Sequence, residues 1–118
     1  MSKIQVSANF NIPEGMLEEF KDKAAECMKQ VKEKDSETLQ YDWFVSSDKT
    51  ECEIREMYKS SEAVLTHQSN IREPLRALFK KFGLPSSVAI YGDPSPELLE
   101  YTKASGIDIK RFTFLQGL

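Results

Sequence analysis

The chain has 118 residues, 40% apolar and 30% charged, with a formal net charge of −3. That length and apolar content fit one domain with one compact core, and interspersed charges without a basic cluster argue against nucleic acid or anionic membrane as partners. No stretch near the start reads as a signal peptide and none later could span a bilayer, so the expected location is cytoplasmic.

From Lys3 to Ile12 the residues alternate. Ile4, Val6, Ala8, Phe10 and Ile12 share one side; Gln5, Ser7, Asn9 and Asn11 share the other, the pattern of a half-buried antiparallel strand. Pro13 fits the first position of the helix that follows. Leu17, Phe20, Ala24, Cys27, Met28 and Val31 recur at three- and four-residue steps, one apolar stripe on an otherwise charged helix. A polar run from Lys32 to Glu37 ends it. Leu39, Tyr41, Trp43 and Val45 then alternate with Gln40, Asp42 and Phe44 as a second strand, and Ser47-Asp48-Lys49-Thr50 turns the chain back as a hairpin. In the returning strand Cys52, Ile54, Glu56 and Tyr58 share a face. Ser60 or Ser61 caps the next helix, with Glu62 in its first turn.

Val64, His67 and Ile71 form the stripe of that helix, and Pro74 predicts a break before a second helix through Phe82. Gly83 stops it. Val88 to Tyr91 is a short strand. Ser95 caps a short helix opened by Pro96 and ended by Gly106, and Ile107 to Leu115 is a last strand with imperfect alternation. Cys27 and Cys52 read as buried free thiols. With no CxxC and a single His, no protein metal site is expected.

The order strand, helix, strand, strand, helix, strand predicts an α+β, ferredoxin-like antiparallel sheet with helices on one face. The core unit spans about 3–92, and a helix and strand over about 95–115 are appended to this single domain. Apolar residues on both faces of the second strand predict a homodimer whose sheets pack face to face. The C-terminal strand is expected to add to the partner or to lie along that interface.

Glu37-Thr38-Leu39, Tyr41-x-Trp43, Glu56-x-Tyr58, Ser61-Glu62-Ala63 and His67 together resemble the antibiotic biosynthesis monooxygenase family, as does Gly92-Asp93-Pro94-Ser95-Pro96-Glu97-Leu98. The resemblance covers about residues 3–99. It implies a dimeric α+β barrel and, for an active member, cofactor-free oxidation of a hydroquinone or polycyclic phenol by dioxygen. The alternative is a non-catalytic dimeric ligand-binding or regulatory module of the same fold. Haem-degrading proteins of this fold use an Asn in the first strand, matched by Asn9, but also a Trp at or near the place of His67 and a further His that this chain lacks. Haem chemistry with axial His ligation is therefore not expected.

His67 is the candidate catalytic residue, a general base or a donor to a bound phenol. The competing reading is a core histidine bonded to a carbonyl or a carboxylate. Glu56, on an otherwise apolar strand face, needs a partner or a raised pKa; a structural role is favoured over direct catalysis. Asn9, Tyr41, Trp43 and Tyr58 complete, with Glu56, the candidate substrate contacts. Tyr41 and Trp43 read equally well as core or interface aromatics, and the Asn9 face as a solvated one.

Overall fold

The alternating stretches become strands and the stripes of three and four become helices. The computed structural model describes residues 3–118. In chain order these are β1 (Ile4–Asn11), α1 (Leu17–Lys34), β2 (Thr38–Val45), β3 (Glu51–Tyr58), α2 (Ser61–Asn70), α3 (Arg72–Phe82), β4 (Ser87–Tyr91), α4 (Pro96–Ala104) and β5 (Ile109–Phe112). The five strands form one sheet in the order β2-β3-β1-β4-β5. The first four pair antiparallel, the ferredoxin-like arrangement, and the helices cover one face. No helix among the described residues is long and apolar enough to cross a membrane.

The inner face follows the sequence pattern. Ile4, Ala8 and Phe10 of β1 and Cys52, Ile54, Glu56 and Tyr58 of β3 are all buried. Two apolar clusters hold the layers together. One joins Phe10, Tyr41, Cys52 and Ile54 of the sheet to Phe20, Cys27 and Val31 of α1, Leu78 of α3, and Ile71. The other joins Ile4, Tyr58 and Ile90 to Ala63 and Val64 of α2 and Leu98 of α4.

Helix punctuation is local chemistry. The Ser60 hydroxyl accepts the Ala63 N–H at the start of α2, and the Ser95 hydroxyl accepts the Leu98 N–H at the start of α4, with Pro96 first in the helix. The α2–α3 break falls at Ile71, which leaves Pro74 in the first turn of α3, where its missing N–H costs nothing. Gly83 has φ of 85°, a backbone conformation that side chains resist.

Some expectations need correction. Pro13 does not open the first helix. Its carbonyl accepts the Met16 N–H in a turn, Gly15 takes φ of 81°, and the helix starts at Leu17. Leu39 and Val45 do not join Tyr41 and Trp43 inside. A register shift between Thr38 and Gln40 interrupts the alternation, and Leu39 and Val45 are exposed at the strand ends. The C-terminal strand is shorter than Ile107 to Leu115 and lies at the sheet edge. It is the short β5, paired parallel to β4 of its own sheet, and α4 supplies the crossover that parallel pairing requires. Ile109 there faces the helices beside Val88, while Phe112 stacks on Tyr91 on the outer face at 5.0 Å between ring centroids.

Candidate functional site

Between the sheet and the helices, at the junction of the two apolar clusters, lies a cavity of about 320 Å³. Its floor is the inner face of the sheet: Ala8 and Phe10 of β1, Tyr41 of β2, Ile54 and Glu56 of β3, Ile90 of β4. Its roof comes from His67 and Ile71 at α2, Leu75 and Phe79 of α3, and Leu98, Tyr101 and Thr102 of α4. Leu84 and Tyr101, both exposed, stand where it opens. The walls are mostly apolar, with a few polar groups, and the volume falls at the lower end of the range of about 300–1,000 Å³ typical of small-molecule sites.

His67 reaches the cavity because helical spacing from Val64 turns it towards the sheet. Its Nδ1 lies 2.7 Å from Asp35 Oδ2, just past the end of α1. The Asp35 carboxylate also accepts the Thr38 hydroxyl at 2.6 Å and the Asn70 amide at 2.7 Å. The side chains of His67 and Asp35 are 1% and 4% exposed. Burial alone would push the Asp35 carboxyl up, but hydrogen bonds from Asn70, Thr38 and His67 outweigh it and hold the group below its ordinary range. Burial lowers the His67 pKa, and Asp35 only partly offsets this. At neutral pH the arrangement is thus a carboxylate accepting Nδ1–H from a neutral imidazole, a tautomer assigned from that bond. Nε2 is left buried and without a partner, and the imidazole packs against the rings of Tyr41 and Tyr58, whose centroids lie 4.7 and 5.1 Å from its own.

Glu56 sits mid-strand, opposite Val6 on one side and Tyr41 on the other. The Tyr58 hydroxyl, two residues along the same strand face, donates to its Oε1. Burial pushes the Glu56 carboxyl up to about 7, and the Tyr58 bond pulls only weakly the other way. The phenols of Tyr41 and Tyr58 are themselves pushed well above their ordinary range, by burial first and then by Glu56. The thiols are no candidates for nucleophiles: burial pushes Cys27 up to about 12 and Cys52 to about 11.

Of the residues singled out from sequence, the structure brings His67, Glu56 and Tyr41 together on the cavity wall. Tyr58 is fully buried and touches the site through its bonds and packing to Glu56 and His67. Trp43 packs edge-on against Tyr41 and Phe20, away from the lining, with Nε1 buried and unbonded. Asn9 lies on the opposite face of the sheet, where its amide donates to the Ser87 hydroxyl. The sequence reading missed Asp35, which it placed in a polar run, and the α4 residues Tyr101 and Thr102. Asp35 three residues before Thr38 is a local hydrogen-bonding signal, but its 32-residue separation from His67 leaves no spacing rule to find.

No family model and no curated protein matches the sequence. Solved structures do match. MupZ from Pseudomonas fluorescens superposes with a TM-score of 0.80 at 21% identity, over 100% of this chain and 94% of its own. That likeness therefore includes α4 and β5. A Caulobacter crescentus protein named for the antibiotic biosynthesis monooxygenases gives 0.63 at 19% identity, over 75% of this chain and 84% of its own. A Nitrosomonas europaea protein of the same designation gives 0.63 at 16% identity, over 80% and 92%. The resemblance read from the sequence holds at the level of architecture: this chain has the ferredoxin-like α+β fold of the antibiotic biosynthesis monooxygenases.

Proposed function

We propose that the chain is a cofactor-independent monooxygenase that oxidises a hydroquinone or polycyclic phenol with dioxygen. The observation that carries this reading is the cavity itself: about 320 Å³, mostly apolar, with two buried titratable groups, Glu56 and His67, on its wall. A side-chain-filled regulatory module would have no such space. A substrate of two or three fused rings fits the volume, and the thiols at Cys27 and Cys52 suit a reducing cytoplasm.

The reaction makes limited demands. A wall group takes the phenol proton, and the phenolate gives one electron to dioxygen. The phenoxyl radical and superoxide join through a carbon–oxygen bond, and the peroxide anion takes the proton back. Loss of the ring C–H proton then breaks the O–O bond. One oxygen stays as a quinone carbonyl and the other leaves as water, so phenol plus dioxygen gives quinone plus water. The substrate provides the electrons. The protein provides a dry pocket and a group that passes one proton back and forth. The titratable side chains on the wall from which such a group would be drawn include His67 and Glu56.

Oxygen consumption by purified protein with a panel of naphthohydroquinones, without added metal or flavin, is the test. Uptake well above the uncatalysed background is expected; none across the panel would favour the binding module.

We also propose a homodimer formed through the outer sheet face. Phe44, Tyr91 and Phe112 are exposed there, and Phe114 and Leu115 beyond β5 are more exposed still. Light scattering at micromolar concentration should give twice the chain mass of 13.5 kDa; a monomer would remove the proposal.

A further inference from the structure

We infer that Glu56, rather than His67, is the catalytic residue that exchanges protons with the bound phenol, and that His67 belongs to the framework of the wall. The inference rests on the monooxygenase reading for its reaction but on geometry for its choice of residue. A proton-transfer group must come within hydrogen-bond reach of the substrate atom. The one uncommitted nitrogen of His67 is fully buried in a ring packed against Tyr41 and Tyr58, and its other nitrogen is taken by Asp35. Both residues line the cavity, His67 with 1% of its surface open and Glu56 with 8%. With Oε1 engaged by Tyr58, Oε2 is the oxygen left for a ligand.

The surroundings suit the role. Tyr41 faces Glu56 from β2, Tyr58 from β3 and His67 from α2, with Asp35 behind His67, Cys27 beside Tyr41 and Tyr101 across the cavity on α4. No cation is among them, so nothing holds Glu56 permanently ionised. A carboxyl that ionises at about 7 can take a phenol proton as base and return it as acid near neutral pH. The Tyr58 hydroxyl bonds the same carboxyl and keeps it facing the cavity in both states.

The test uses 4-nitrophenol, whose neutral and ionised forms differ in absorption, bound to the intact protein and titrated. Ionised Glu56 opposes a neighbouring phenolate, so Glu56→Gln should let the bound phenol ionise at a pH lower by about one unit or more. His67→Gln should leave its ionisation within a few tenths of wild type. No shift in Glu56→Gln, a larger shift in His67→Gln, or no binding of the phenol at all would overturn the assignment. A check that needs no variant is the infrared difference spectrum of wild type on adding 4-nitrophenol at pH 7. A buried carboxyl should change its protonation, and a silent carboxyl region would overturn the proposal. Oxygen uptake is scored separately: its absence with the nitrophenol shift intact would sink the monooxygenase reading and leave Glu56 as the proton-exchanging group of a binding site.

Discussion

Asp35→Ala should cost about 3 kcal/mol of folding stability, because hydrogen bonds to a buried charged group are among the stronger ones and three partners lose theirs together. Thr38 and Asn70 find water more readily than His67, whose Nδ1–H is left buried with no acceptor. Asp35→Asn keeps an acceptor without the charge and should lose about half as much. Urea unfolding at pH 7 measures both, and a loss below about 1 kcal/mol for alanine would show that the cluster tightens nothing. The pH dependence has a fixed direction. Asp35 ionises more readily folded than unfolded, so its contribution is present at neutral pH and fades as pH falls through its lowered folded value. His67 resists protonation when folded, so the unfolded chain gains protons first below its ordinary 6.5. Both effects weaken the fold on the acid side, and Asp35→Ala should flatten that slope.

Glu56→Gln should do the opposite at the other end of the scale. The folded carboxyl ionises at about 7 against an ordinary 4.5. The unfolded chain therefore releases this proton first, and wild-type stability falls as pH rises from about 4.5 to about 7, by roughly 3 kcal/mol in all. Glutamine is neutral throughout and can still accept from Tyr58. The variant should match wild type near pH 4 and exceed it by about 2–3 kcal/mol at pH 8. Parallel stability curves for the two proteins would refute this. A buried ionisable group that costs stability at working pH is what a reactive site requires and a structural one does not.

Most of the fold was legible because it rests on periodicity. The alternation of Cys52, Ile54, Glu56 and Tyr58, and the stripe through Phe20, Cys27 and Val31, survive folding unchanged. What failed were the positions where a backbone kink overrides the pattern: the turn at Gly15 that delays α1, and the register shift that turns Leu39 out. The strand at the C-terminus was found but its pairing was not, since a four-residue strand carries no signature of its neighbour. For the site, His67, Glu56 and Tyr41 stand out as polar or amphipathic groups on apolar faces, which is a local signal. The bond that decides the state of His67 comes from Asp35, an unremarkable acid in a charged run. Asn9 shows the limit from the other side: its strand was right, but strand parity puts it on the face away from the cavity.

The parallel β4–α4–β5 unit divides labour along the chain. Glu56, the group proposed to exchange protons, and its neighbours Tyr58 and His67 all lie before residue 68 on the antiparallel core and its first covering helix. Leu98, Tyr101 and Thr102, which line the cavity from α4, come from the crossover that follows. Part of the wall that shapes the cavity is thus built from a different stretch than the group proposed to exchange protons. On the proposed reading, substitutions on α4 should reshape the acceptable ligand while leaving Glu56 and its partners in place, so altered preference is open to this scaffold through a single short helix.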